Sequence, residues 1–156
     1  MNVVFDLDGV FTNGSFLYTV DGKIAKCFGA HDHDCISILK KHINIAVVTA
    51  DSKGFEISKR RVFNDMGVPI FLVSSRNRAS WIDEKFGLKT TIYMGDGLFD
   101  AAVFSNCLYS ICPANGLQIA KDQASYVTER TGGDGAVAEA CMHIAERFLG
   151  KSIIDL

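Results

Sequence analysis

Apolar residues in this chain gather into short runs: Val3-Val4-Phe5, Ile43 to Val48, Ile70 to Val73, Thr91 to Met94 and Leu108 to Cys112. These runs are rich in β-branched residues and continuous rather than alternating, which is the pattern of strands covered on both faces. The segments between them show helical spacing. Residues 32–41 offer Cys35, Ile36 and Leu39 on one side, with Asp32 as the candidate cap. A second helix is predicted over 54–66, stopped by Gly67 and Pro69, a third over 77–86, stopped by Gly87, and a fourth after Asp96. The last is the clearest: Val137, Cys141, Ile144, Ala145, Phe148 and Leu149 form one apolar stripe. Strands alternating with helices predict an α/β fold, a doubly wound parallel sheet with crossover helices.

One insertion interrupts the alternation. Ser15 to Phe28, "SFLYTVDGKIAKCF", reads as two strands around Asp21-Gly22, the dipeptide favoured in a two-residue type I′ turn. A hairpin over about 15–28 is therefore expected just beyond the first strand. At 156 residues and 48% hydrophobic content, the chain supports one core and is read as a single domain, 1–156.

Charge narrows the partners. The net charge is -2 and the longest basic run is Lys59-Arg60-Arg61, so no nucleic acid is expected as a partner. No apolar run approaches the roughly 18 residues that span a bilayer, so no membrane is expected either. Five cysteines, an odd number without a Cys-x-x-Cys pair, suit a reducing compartment, and without a signal-type leader the expected location is cytoplasmic.

In a doubly wound sheet, ligands bind beyond the carboxyl ends of the strands. Asp6 and Asp8 follow the first strand, Thr49, Asp51 and Ser52 the second, and Gly95-Asp96-Gly97 with Asp100 the fourth. Carboxylates brought together repel unless a cation lies among them, and hard oxygen ligands suit Mg²⁺. One carboxylate can then attack a phosphoryl group while another, two residues on, protonates the leaving oxygen.

"FDLDGVFTNG" resembles the first motif of the haloacid dehalogenase superfamily, with Asp6 in the nucleophile position and Asp8 in the acid/base position. Thr49 in "VVTADS" is similar to the second motif, and "YMGDGLFD" to the fourth; for the cation of the third, Arg78 in "SRNRASW" fits best, ahead of Arg76 and Lys85. With the hairpin and the tail "ASYVTERTGGDGAVAEACMHI", almost the whole chain resembles the capless phosphatases acting on 3-deoxy-manno-octulosonate 8-phosphate (KDO 8-phosphate) and nonulosonate 9-phosphates. The resemblance implies a Rossmann-like three-layer αβα fold with no cap domain and a small hairpin flap. It implies catalysis by Asp6, Asp8, Thr49 and Arg78, and a Mg²⁺ site of Asp6, Asp8, Asp96 and Asp100. It also implies substrate contacts at Thr12, Asn13, Ala50 and His31, a small phosphorylated sugar or sugar acid as substrate, and a homotetramer. In that assembly a tail segment, about 131–150 with its Gly132-Gly133, approaches a neighbour's site.

The chain departs from this pattern. Thr49-Ala50-Asp51 stands where the family reads TGR, His31-Asp32-His33 where it reads RDG, and Ala138 where GAVRE has its arginine; the acidic pair of the fourth motif is reduced to Asp96-Gly97. The arginines of TGR and GAVRE, two that could grip an anionic sugar acid, are missing. The alternative is thus a catalytically drifted domain serving as partner or oligomerisation module of a sugar nucleotidyltransferase. A mutase is disfavoured because it needs a cap to exclude water, and a receiver-type phosphoacceptor because its acids follow a different order.

Overall fold

The computed structural model describes residues 1–156. Its strands are β1 (Asn2–Asp6), β2 (Thr12–Thr19), β3 (Gly22–Phe28), β4 (Asn44–Thr49), β5 (Ile70–Leu72), β6 (Thr91–Met94), β7 (Tyr109–Cys112) and β8 (Tyr126–Val127). The helices are α1 (His31–Leu39), α2 (Phe55–Lys59), α3 (Arg78–Phe86), α4 (Asp100–Phe104), α5 (Gln118–Lys121) and α6 (Ala136–Ile144). The main sheet is parallel, in the order β5-β4-β1-β6-β7-β8, and β2-β3 form a separate antiparallel hairpin.

Alternating side chains of β1 feed two cores. Val3 and Phe5 pack with Ile36 and Leu39 of α1 and with Val137, Cys141 and Ile144 of α6 on one face. Val4 packs with Ala46, Ile82, Tyr93 and Val103 on the other. The sheet is therefore the middle of three layers, as an uninterrupted apolar strand requires. β1 lies between β4 and β6, with Asp6 beside Val48 and Phe5 beside Met94. That register sets the ends of β1, β4 and β6 side by side, and no domain covers them except the hairpin.

Several local expectations are corrected. The second helix is a short α2 that runs into a π-helical turn, Arg60–Asp65, and the last helix gives way to another, Ala145–Leu149. Asp32 does not cap α1. Its carboxylate is buried and accepts the amide of Ala138 at 3.0 Å, tying α1 to α6. The hairpin starts at Thr12, not 15, and its turn is not type I′: Thr19 pairs with Gly22, the loop residues are Val20 and Asp21, and only Gly22 has positive φ, at 120°. Glycine there serves a bulged hairpin rather than a primed turn. β8 and α5 carry too few residues for a periodic signal.

Candidate active site

The chain turns sharply after β1. The carbonyl of Leu7 accepts the amides of Val10, Phe11 and Thr12, and the Thr12 hydroxyl accepts those of Gly9 and Gly14, each at 3.2 Å. Thr12 is 0% exposed. It braces the loop from within. Gly9 has φ 85°, and a Cβ there would stand 2.1 Å from Asp96 Oδ2. Only glycine lets the loop pass this close to the end of β6.

Around that point Asp6, Asp96 and Asp100 each offer an oxygen within 4.8 Å of the others. Asp6 Oδ1 accepts the Leu7 amide at 2.8 Å, and Asp6 Oδ2 is paired with Arg78 Nη1 at 2.8 Å. The same Nη1 lies 2.8 Å from Asp100 Oδ1, which also accepts Tyr93 Oη at 2.6 Å. Asp100 Oδ2 takes the amides of Asp96 and Gly97 at 3.0 and 2.8 Å. Both oxygens of Asp100 and both of Asp6 are thus engaged within the protein, whereas the Asp96 carboxylate has no hydrogen bond or ion pair to another residue and is the freest of the three to meet a ligand.

Burial pushes Asp6 up to about 8, against the pull of Arg78, with Asp100 and Asp96 adding to the rise. Burial and Asp100 push Asp96 up to about 7. Two carboxylates that resist ionisation near neutral pH, beside a third, form a donor set completed by a small divalent cation. Arg78, 3% exposed, is held in its charged form: burial opposes the charge, and Tyr93, Asp6 and Asp100 outweigh it. Replacing Arg78 with Met leaves two buried acids without their shared cation. The expected loss of unfolding free energy is about 3–5 kcal/mol, read by urea titration in chelator at about pH 8; a loss confined to the surface-substitution range contradicts the pairing.

Asp8 lies outside this acidic cluster, its carboxylate engaged by other partners. Lys26 Nζ sits 2.7 Å from Asp8 Oδ1 and 3.1 Å from Oδ2, and the Thr49 hydroxyl donates to Oδ2 at 3.2 Å. Thr49 in turn accepts the Asp51 amide. Asp51 pairs with Lys26 at 2.8 Å and with Lys23. Burial alone would raise Asp51, but hydrogen bonds from Lys23 and Lys26 hold it down at about 2. The acid standing where the resembled family has an arginine is therefore neutralised by the hairpin's own cations.

The remaining candidates scatter. Asn13 is exposed and accepts the Ser15 amide on its own side chain. Ala50 is exposed at the end of β4, with its carbonyl taken by the Ser52 amide. His31 borders a cavity of about 290 Å³ between α1 and the start of α6, shared with Cys35, Arg130 and Ala138 and with no member of the acidic cluster. Gly132 and Gly133 rest on the chain's own first loop: a Cβ on Gly132 would lie 2.0 Å from Gly9 O, and Asn115 joins the Gly132 amide to the Gly9 carbonyl. Lys23, Lys26, Tyr93 and Asn115 were not legible as site residues. Tyr93 reads as core, and the others lack any local spacing signal.

An α/β sheet whose adjoining strand ends gather three carboxylates beside a buried arginine has the parts of a metal-assisted enzyme acting on an anionic group. No family model matches the chain. Among curated relatives, the 3-deoxy-D-manno-octulosonate 8-phosphate phosphatase KdsC of Haemophilus influenzae is 27% identical, covering 98% of this chain and 87% of the relative. Among solved structures, the cobalt-bound deoxy-D-mannose-octulosonate 8-phosphate phosphatase YrbI from Haemophilus influenzae superposes with a TM-score of 0.80 at 30% identity, covering 92% of this chain and 86% of the other. The Moraxella catarrhalis enzyme in complex with magnesium, phosphate and KDO gives 0.83 at 27%, covering 92% and 84%. The chain belongs to the haloacid dehalogenase superfamily, in the capless branch that includes these phosphatases, and is a phosphoric monoester hydrolase.

Proposed function

We propose that this protein hydrolyses a small sugar or sugar-acid phosphate, of the KDO 8-phosphate or nonulosonate 9-phosphate type, with Mg²⁺ and through an aspartyl-phosphate on Asp6. The observation that carries this reading is the meeting of Asp6, Asp96 and Asp100 at one point, with Arg78 bound to the first and last. Mg²⁺ held by Asp6 and Asp96 would draw charge from the phosphoryl oxygens and let two anions approach. Asp6, fixed by the Leu7 amide and Arg78, attacks phosphorus. Asp8, two residues on and anchored by Thr49 and Lys26, gives its proton to the leaving alcohol and then takes one from the attacking water. Arg78 balances the charge on Asp6 and Asp100.

The partner-module alternative has less support, because a domain released from catalysis has no reason to keep buried acids that destabilise one another. Phosphate release from a panel of sugar phosphates, octulosonate and nonulosonate esters included, tests the reading. Fast release on one member with Mg²⁺, abolished by chelator, is expected. No release from any member returns the partner module to first place.

A homotetramer working in the cytoplasm is part of the same proposal. Leu17, Tyr18, Val20 and Ile24 expose 51–102% of their surface on the hairpin, and exposed apolar side chains grouped in this way mark interaction surfaces. Burying those side chains between subunits removes that exposure. Light scattering is expected to give four chains per particle, and Leu17→Lys with Ile24→Lys is expected to lower that number. A parent mass of one chain contradicts the assembly. No helix is long and apolar enough to cross a membrane.

A further inference from the structure

Lys26 is unusual among the cations of this chain. Its side chain is 0% exposed, and its ammonium meets Asp8 Oδ1 at 2.7 Å, Asp51 Oδ2 at 2.8 Å and Ser58 Oγ at 2.9 Å. Those partners come from the loop after β1, the end of β4 and α2: the ammonium donates to Asp8 Oδ2 and Ser58 Oγ, and its charge is balanced by the two carboxylates. Lys23, with 3% of its side chain exposed, pairs with the same oxygen of Asp51 and lies 3.4 Å from the centre of the Phe16 ring. Gly54 keeps the space open: a Cβ there would fall 2.2 Å from Asp51 Oδ2 and 2.7 Å from Lys26 Cε.

We propose that Lys26 is the positioning residue of Asp8, and that Asp51, through Lys23 and Lys26, latches the hairpin carrying it against the end of β4. This rests on the reading of Asp8 as the acid/base. Thr49 supplies Asp8 with one hydrogen bond, on Oδ2 alone, which leaves the carboxylate plane free to rotate. Lys26 donates to Oδ2 and holds its charge 2.7 Å from Oδ1, which fixes that plane and leaves Oδ1 without a hydrogen bond as the oxygen that can carry the proton. A capless enzyme thereby acquires, from a short hairpin, a rigid wall on the leaving-group side. Asp51 is a latch and not a receptor for the substrate.

The consequences separate by chemical step. Phosphoenzyme formation from a sugar phosphate needs a proton from Asp8, whereas 4-nitrophenyl phosphate releases a phenolate that needs none. In Lys26→Met, kcat on the best sugar phosphate is expected to fall about 10- to 100-fold with KM nearly unchanged. The pre-steady-state burst of nitrophenolate is expected to keep its rate while the following turnover slows, and Lys26→Arg is expected to restore much of the loss. Asp51→Asn is expected to give the same pattern more weakly and to expose the Val20-Asp21 turn to protease. Unchanged kcat in Lys26→Met, or equal loss of burst and turnover, overturns the positioning role; if Lys26→Met does not fold, Asp51→Asn decides by the same two readouts. A parent without burst or turnover on any ester refutes the phosphatase reading itself. The latch would still be judged by the protease sensitivity of Asp51→Asn.

Discussion

Asp6→Asn is expected to abolish phosphate release, by roughly 10³- to 10⁵-fold in kcat, while leaving the fold intact or more stable. The amide cannot form the acyl phosphate, so the loss is of a step and not of an interaction. Stability moves the other way because burial already holds the Asp6 carboxyl at about 8 beside Asp96 and Asp100, and removing its charge relieves that conflict. Opposite signs for activity and stability are the mark of a residue retained for chemistry. Loss of both together implies that Asp6 is mainly the structural partner of Arg78. Retention of activity moves the nucleophile elsewhere.

The second large effect concerns Mg²⁺ and pH. Asp6 and Asp96 rise from 3.8 to about 8 and about 7. Between those limits the folded state binds more protons than the unfolded chain, so stability in chelator falls as pH rises from about 4 to about 8. Asp51 has the opposite sign: held at about 2, it stabilises above its unfolded value and is lost only in strong acid, outside that window. Mg²⁺ bound by the ionised pair is expected to flatten the fall, adding about 2.7 kcal/mol at a concentration a hundred times its Kd. In Asp96→Asn, stability in chelator near neutral pH is expected to rise and the response to Mg²⁺ to vanish. Melting curves across pH, with chelator and with Mg²⁺, measure both. A profile flat in chelator, or an Asp96→Asn protein still stabilised by Mg²⁺, contradicts the assignment.

The strand-and-helix order was readable because Val3-Val4-Phe5 and Ile43 to Val48 are central strands, covered on both sides and therefore apolar throughout. Asp6, Asp96 and Asp100 stood out for a related reason: acids that close or follow such runs gather at one edge of the sheet by topology, whereas Arg78 stood out only through the family resemblance. The electrostatic wiring was not readable. Lys26 meets Ser58 at a separation of 32 residues and Lys23 meets Asp51 at 28, through a hairpin whose register shifts twice. Asp51 alone looked like a misplaced anion, because its charge is balanced only in three dimensions. Asp32 looked like a cap, since a second acid near a helix start gives the same local signal whether it turns to its own amides or to those of α6. The Asp21-Gly22 turn misled because the pairing of Thr19 with Gly22 moves the loop back by one residue.

The covalent role of Asp6 is tested most directly by quenching the enzyme during turnover on its best sugar phosphate with borohydride, which reduces an acyl phosphate to the alcohol. Peptide mass spectrometry then reads the position. Homoserine at position 6, dependent on substrate and absent from Asp6→Asn, is the expected result. Homoserine at Asp8 or Asp96, or none at any acid while phosphate is being released, contradicts an aspartyl-phosphate on Asp6.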